Sequence, residues 1–237
     1  MRRSALSHIW RSGLFLYPDK SLHEHRYIVD LYATYLSAGF RLPASAGSGN
    51  GVSRNPIGYN RSYVHLGPKF GYKEWLAGQK AGRNFVTNGP MLHFLAAGQG
   101  AGQILPQSTQ TITVEVECDS RDELDRAEVV ADGEAVEMVR AAPGANSIRA
   151  KRQIRARDGG WVAARCYEKN SVSVRFAHSS PVWMGKTARR SLESLQFLRE
   201  WVDADEARIR AIPENKITES QRQELLAATR RAAEFYK

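Results

Sequence analysis

The residues best placed to do chemistry lie between positions 40 and 90. Asn60, Arg61 and His65 fall in one short run, and Asn88 opens the turn Asn88-Gly89-Pro90. Read as a strand, Tyr59, Arg61, Tyr63 and His65 share one phase and Asn60, Ser62 and Val64 the other. Arg61 can grip a phosphate or carboxylate with both prongs of its guanidinium. It can equally pair with Glu74 or another carboxylate as a structural tie, which is the favoured reading. Asn88 can line a binding mouth at a strand end, although an Asn before Gly-Pro more often serves the turn itself. These four residues, Asn60, Arg61, His65 and Asn88, are the candidate binding set.

Two neighbouring stretches invite stronger chemistry and do not support it. Ser45-Ala46-Gly47-Ser48-Gly49-Asn50-Gly51 is a loop of small residues whose N–H groups can cradle an anion. It lacks the Gly-x-x-x-x-Gly-Lys-Ser/Thr pattern of a nucleotide-binding loop. His23-Glu24-His25 has two imidazoles at a spacing that converges on a strand but diverges on a helix. It falls at the start of a predicted helix, so a solvated helix end is the favoured reading. Asp119, Asp122, Glu123 and Asp125 form an acidic loop without the alternating register of a calcium-binding loop, and a solvated connection is expected. His8, His93 and His178 are isolated. The chain shows no Ser/His/Asp set, no Cys/His pair and no carboxylate pair spaced for acid–base work.

The elements that must position these residues follow from periodicity. Residues 22–38 read as a helix with an apolar stripe of Ile28, Leu31, Tyr32, Tyr35 and Leu36, stopped by Gly39. A short strand is expected at 40–42, another at 61–66, a helix at 71–81 and a strand at 83–87. Residues 98–109 read as a linker. Beyond it the period changes to two: Ile112, Val114, Val116 and Cys118 alternate with Thr111, Thr113, Glu115 and Glu117. Asp132-Gly133 between apolar runs predicts a hairpin. Strands at 147–154, 161–167 and 172–177 complete about six, a small antiparallel β-sandwich. After Lys186 the pattern is helical, with a stripe of Leu192, Leu195, Leu198, Trp201 and Val202. Pro213 breaks it, and Thr218 with Gln221 forms a capping-box signature.

Three runs carry a resemblance. Phe40-Arg41-Leu42-Pro43-Ala44-Ser45-Ala46-Gly47-Ser48 is followed by Pro56-Ile57-Gly58-Tyr59-Asn60-Arg61-Ser62-Tyr63-Val64-His65, and later by Gly82-Arg83-Asn84-Phe85-Val86-Thr87-Asn88-Gly89-Pro90. Together they resemble the end of the metal-site domain of the PHP (polymerase and histidinol phosphatase) superfamily, in its CehA/McbA branch. The resemblance reaches over about residues 27–185 and is tightest over 37–90. It implies a distorted β/α barrel and a cluster of divalent metals, Zn, Mn or Fe, that hydrolyses phosphate, amide or ester bonds. In that branch the serine-rich turn continues into a metal-binding Asp. Here the aligned residue is Gly49, which has no side chain to coordinate with, and Asn50 offers only a neutral amide oxygen.

Only 48 residues precede Gly49, too few for the earlier β/α units and their ligands. The resemblance therefore implies the tail of a longer protein: a truncated gene, a fragment with a misplaced start, or a stand-alone remnant. The expected fold is α+β: a PHP-like β/α remnant over 1–97, a linker, a β-sandwich over 110–185 and a helical hairpin over 186–237. The expected function is an accessory or binding module of a metal-dependent hydrolase, catalytically incomplete, with no cofactor of its own. The alternatives are a live hydrolase completed by an upstream segment or another chain, and a non-enzymatic binder of anionic ligands.

Composition narrows the partners. With 34 basic and 25 acidic residues in 237, the formal charge is +9, which favours anionic partners. A solvated basic surface is the plainer explanation. The densest basic cluster, Lys151, Arg152, Arg155 and Arg157, lies along a predicted strand and is not interleaved with aromatics, so nucleic acid is disfavoured. No apolar run approaches the length of a membrane span and no export signal is evident, so a cytoplasmic setting is the default. Cys118 and Cys166 fall on inward strand phases, and free buried thiols are favoured over a disulfide.

Overall fold

The computed structural model describes residues 22–48, 56–68, 70–106, 110–169 and 174–236. They form two compact units, one ending at Arg189 and one beginning at Arg190. The first is mixed α and β, with two helices and two mostly antiparallel sheets, and the second is helical.

The first unit opens with helix α1 (Leu22–Ser37). Its buried stripe is Val29, Tyr32 and Leu36, so the buried face is set by Val29 where the periodicity had pointed to Leu31 and Tyr35. The helix ends as expected at Gly39, whose φ is 96°. Gly39 N donates to Leu36 O and Phe40 N to Tyr35 O, the paired bonds of a glycine-terminated helix. The strand expected at 40–42 does not form.

Strand β1 (Arg61–Val64), helix α2 (Tyr72–Lys80) and strand β2 (Asn84–Thr87) follow. The strand–helix–strand order had pointed to the parallel β/α units of a barrel. Instead β1 and β2 pair antiparallel, Arg61 opposite Thr87 and Val64 opposite Asn84. Helix α2 has nine residues, and the chain reverses after it at Gly82 with φ 72°. Among the described residues neither sheet closes into a barrel.

The remaining strands are β3 (Met91–Ala96), β4 (Gln99–Gly100), β5 (Ile104–Leu105), β6 (Gln110–Asp119), β7 (Leu124–Ala131), β8 (Glu134–Arg140), β9 (Ser147–Ala156), β10 (Trp161–Glu168), β11 (Phe176–Ser179) and β12 (Val182–Met184). The large sheet runs β1-β2-β11-β10-β7-β8. Strand β12 continues β11 past Ser180-Pro181, stays paired with β10, and takes β5 as a parallel neighbour. The small sheet is β4-β3-β6-β9. Residues 98–109, read as a linker, thus carry two short paired strands. The Asp132-Gly133 turn between β7 and β8 has φ of 51° and 98°, the left-handed pair that a tight hairpin requires.

Inner faces of the two sheets share one core. The small sheet contributes Phe94, Ile112, Val114, Val116, Cys118 and Ile154. Leu124, Val129, Val162, Ala164, Cys166 and Met184 come from the large sheet. The outer face of the large sheet carries a second core, where Val86, Val130, Trp161, Tyr167, Phe176 and Trp183 pack under Val29, Tyr32 and Leu36 of α1. β10 is buried on both faces, which is why its sequence, Trp-Val-Ala-Ala-Arg-Cys-Tyr-Glu, shows little polar alternation.

The second unit is an antiparallel pair, α3 (Leu192–Arg210) and α4 (Glu219–Phe235). Leu195, Leu198 and Leu226 are buried, while Leu192, expected in the stripe, is exposed. Ser191 caps α3, and Thr218 with Gln221 forms the predicted capping box of α4. The Arg222 guanidinium donates to the carbonyls of Ile209, Arg210 and Ile212, satisfying groups that the end of α3 leaves open.

Candidate binding site

The three runs that carry the family resemblance meet in space through buried hydrogen bonds. The Ala44 carbonyl accepts from Asn84 Nδ2 at 2.7 Å and from Gln79 Nε2 at 2.8 Å. Ala44 N donates to Ser180 Oγ at 2.8 Å, and that hydroxyl donates to Asn84 Oδ1 at 2.7 Å. One turn further on, Ala46 N donates to Ser62 Oγ, Asn60 N to Ser48 Oγ, and Asn60 Nδ2 to the Gly47 carbonyl. The small-residue loop is therefore fastened to the ends of β1 and β2 by side chains that replace strand pairing.

The candidate binding residues separate under this geometry. Asn60 is buried and bonded to the loop. Arg61 Nη1 donates to the Gly58 carbonyl at 3.3 Å. Its expected pairing with Glu74 does not form, because the Glu74 carboxylate folds over Gly71 at the start of α2. His65 is exposed beyond the opposite end of β1, its N–H bonded to the Arg83 carbonyl. Asn88 is buried, with Oδ1 accepting from Phe176 N at 2.8 Å and Nδ2 donating to Val174 O at 2.9 Å. The structure brings Asn60, Arg61 and Asn88 to one end of the β1–β2 pair, bonds the two amides to backbone, and leaves His65 apart. Gly49 and Asn50 lie outside the described residues, as do the side chains of His23 and His25.

A cavity of about 160 Å³ opens beside the Ala44 network, bounded by Arg41, Lys80, Gly82, Gly102, Ser180 and Trp183. Gly102 sits against the end of α2 so closely that an added Cβ would lie 2.2 Å from the Ala81 carbonyl oxygen. With φ at 80° besides, this position requires glycine. Arg41 Nη2 donates to the carbonyls of Gly185 and Lys186 at 2.6 and 2.7 Å, and its guanidinium lies 5.1 Å from the Trp183 ring. Partial burial draws its pKa below the usual arginine value. Among the described residues that line it two are cationic, Arg41 and Lys80, and none is acidic. The Ser180 hydroxyl is engaged by Ala44 N and by the Asn84 amide oxygen.

Sequence reasoning missed two buried charge clusters. Glu168, with its side chain 1% exposed, accepts from Ser120 Oγ at 2.5 Å and meets Arg175 Nε at 2.9 Å, while Arg175 also reaches Asp122. Glu128, buried on the outer face of the large sheet, lies between Arg126 at 2.6 Å and Arg165 at 3.0 Å. Arg126 also lies over the Tyr167 ring. The one available signal was the presence of Glu and Arg within strands that are otherwise apolar.

Each carboxylate of the acidic loop meets a cation: Asp119 with Arg149, Asp122 with Arg175, Glu123 with Lys169, and Asp125 with Arg126 and Arg140. The Lys169 hydrogen bond holds the Glu123 carboxyl below its ordinary pKa. In the basic cluster, Lys151 pairs with Glu115 and Arg152 approaches Glu137. Among the described residues no three His, Cys, Asp or Glu side chains are grouped to hold a metal ion, and no helix is long and apolar enough to cross a membrane.

The fold and site define a mixed α and β protein with two face-to-face antiparallel sheets. No family model matches the chain, and neither a curated protein nor a solved structure matches it.

Proposed function

We propose that this chain is the C-terminal portion of a PHP-superfamily, CehA/McbA-like hydrolase and serves as an accessory or binding module rather than as a catalyst on its own. The observation that carries this reading is the meeting of the three family-like runs in one hydrogen-bonded unit, through Ala44, Asn60 and Asn84. In the sequence Gly49 follows these residues, at the place where the family it resembles carries a metal-binding Asp and coordination would need a carboxylate. The β-sandwich and the helical pair are then the parts that accompany the hydrolase domain, and the β1–β2 region is its last remnant.

Elemental analysis of the purified full chain tests the reading. Sub-stoichiometric Zn, Mn and Fe is the expected result, and a tightly held metal with phosphodiester turnover overturns it.

A second reading, activity completed by an upstream segment or another chain, is favoured by one feature. Strand β1 is paired on one side only among the described residues. Just before and after it in the chain, Ile57, Phe70 and Tyr72 are 83%, 85% and 74% exposed, apolar side chains that a partner would cover. An in-frame upstream coding segment carrying His-x-His and several Asp or Glu ligands would support it, and metal binding should then appear when both parts are produced together.

A further inference from the structure

We propose that Cys118 and Cys166 are a latent disulfide joining the two sheets, formed when the chain folds in the presence of a small disulfide oxidant such as oxidised glutathione. The proposal is independent of the hydrolase reading. Both cysteines are free and fully buried. Cys118 lies on β6 of the small sheet and Cys166 on β10 of the large sheet, both in the core that the inner faces share.

Three observations place them opposite each other. First, side chains two apart along an extended chain lie on the same face. Two residues beyond each cysteine stand Ser120 and Glu168, which touch across the sheets with a hydrogen bond of 2.5 Å. The row holding Cys118 therefore faces the row holding Cys166. Second, Cys166 pairs with Ala177 and Ala177 with Thr87, while Cys118 pairs with Leu92. Thr87 and Leu92 flank the Asn88–Pro90 turn by which the chain crosses from one sheet to the other, so the cysteines sit at the end where the sheets are covalently joined. Third, Cys118 is the largest influence on the Cys166 thiol, so the two side chains are near neighbours in that core. A bond of about 2.05 Å between them would join two strands that the Ser120–Glu168 contact already holds together.

The chemistry balances as two exchanges. One cysteine thiolate attacks a sulfur of oxidised glutathione, forming a mixed disulfide and releasing one glutathione thiol. The second cysteine attacks the protein sulfur of that mixed disulfide and releases the other. The protein loses two hydrogens, and the oxidant is reduced to two thiols. The Cys118 hydrogen bond and burial push the Cys166 thiol far up and keep it protonated. Exchange is therefore slow in the closed sandwich and proceeds while the sheets are still assembling.

The test is to refold the full chain in a glutathione redox buffer, measure its melting, then unfold it in guanidinium with iodoacetamide present to block every free thiol, and measure intact mass and cross-linked peptides. The expected product is an unalkylated monomer lacking two hydrogens, with the peptides containing Cys118 and Cys166 linked. Its melting temperature should exceed that of the reduced protein by roughly 5–10 °C. Cys118→Ala refolded in the same buffer should show no such gain, and if it does not fold, Cys166→Ala serves instead. Two alkylated thiols in the natively refolded chain, a stable glutathione adduct, a link between chains, or a disulfide that lowers melting would each overturn the proposal. So would an equal gain in the single-cysteine variant.

Discussion

The side chain of Asn88 takes the place of a strand residue beside Phe176. Oδ1 accepts the Phe176 N–H and Nδ2 donates to the carbonyl of Val174, while the Asn88 backbone N–H bonds to Phe176 O. The amide thus extends the ladder of the large sheet one step past the end of β2, where the chain turns away toward β3. Asn88→Ala would leave a buried donor and a buried acceptor without partners. The expected cost is about 2–4 kcal/mol, read as a lower urea midpoint with an unchanged slope.

Glu168 makes a second prediction. Its side chain is buried between Ser120 and Arg175, and Arg175 is itself one-third exposed. Removing one partner of a buried pair leaves an uncompensated charge, here softened by solvent at the Arg175 end. Arg175→Ala should cost about 2–3 kcal/mol. Lys151→Ala breaks a pair exposed at both ends and should cost less than about 1 kcal/mol. Chemical denaturation of both variants checks the ordering, and equal losses would show that burial of Glu168 is immaterial.

Alkaline stability should fall in a defined window. Burial pushes the Tyr167 hydroxyl up to about 12 and raises Tyr32 further. A group whose folded pKa is raised lends stability that is complete below its unfolded value, about 10, and lost as pH climbs through the folded one. The chain should therefore weaken progressively from pH about 10 to about 12. The buried pair should ionise only as the chain unfolds. Phenolate absorbance recorded alongside circular dichroism tests this, and full ionisation of every tyrosine with the fold intact would refute it.

Placing an acid at the serine-rich turn should not create a metal site. Gly49→Asp supplies one ligand, whereas a catalytic ion is held by several. Metal content after purification is expected to stay sub-stoichiometric, as in the parent chain. Stoichiometric metal in the variant would mean that this chain already encodes the remaining ligands.

Much of the fold was legible where one face is wet. In β6, Ile112 to Cys118 alternate with Thr and Glu, and the structure buries the first set. Asp132-Gly133, Gly39 and the Thr218–Gln221 box were legible because backbone geometry restricts the residue types allowed there. β3 was not, because Met-Leu-His-Phe-Leu-Ala offers little polar alternation to reveal its phase. The antiparallel run of β1 and β2 was hidden too, since strand, helix and strand in sequence fit either direction. Of the site, the amides of Asn60 and Asn88 were found but their partners were not. Phe176, Val174 and Gly47 reach them only through tertiary folding, and a Glu or Arg on a buried strand reads in sequence like one facing water.

The pairing of Val86 with His178 has a consequence for synthesis. β2 leaves the ribosome about 90 residues ahead of the strand that completes it, a delay of roughly 5–20 s at ordinary elongation rates. Through that interval the turn at Ala44 lacks Ser180, and the apolar side of α1 lacks Phe176 and Trp183. The earlier-made α1 and β2 must therefore wait, unassembled, for strands synthesised about 90 residues or more after them.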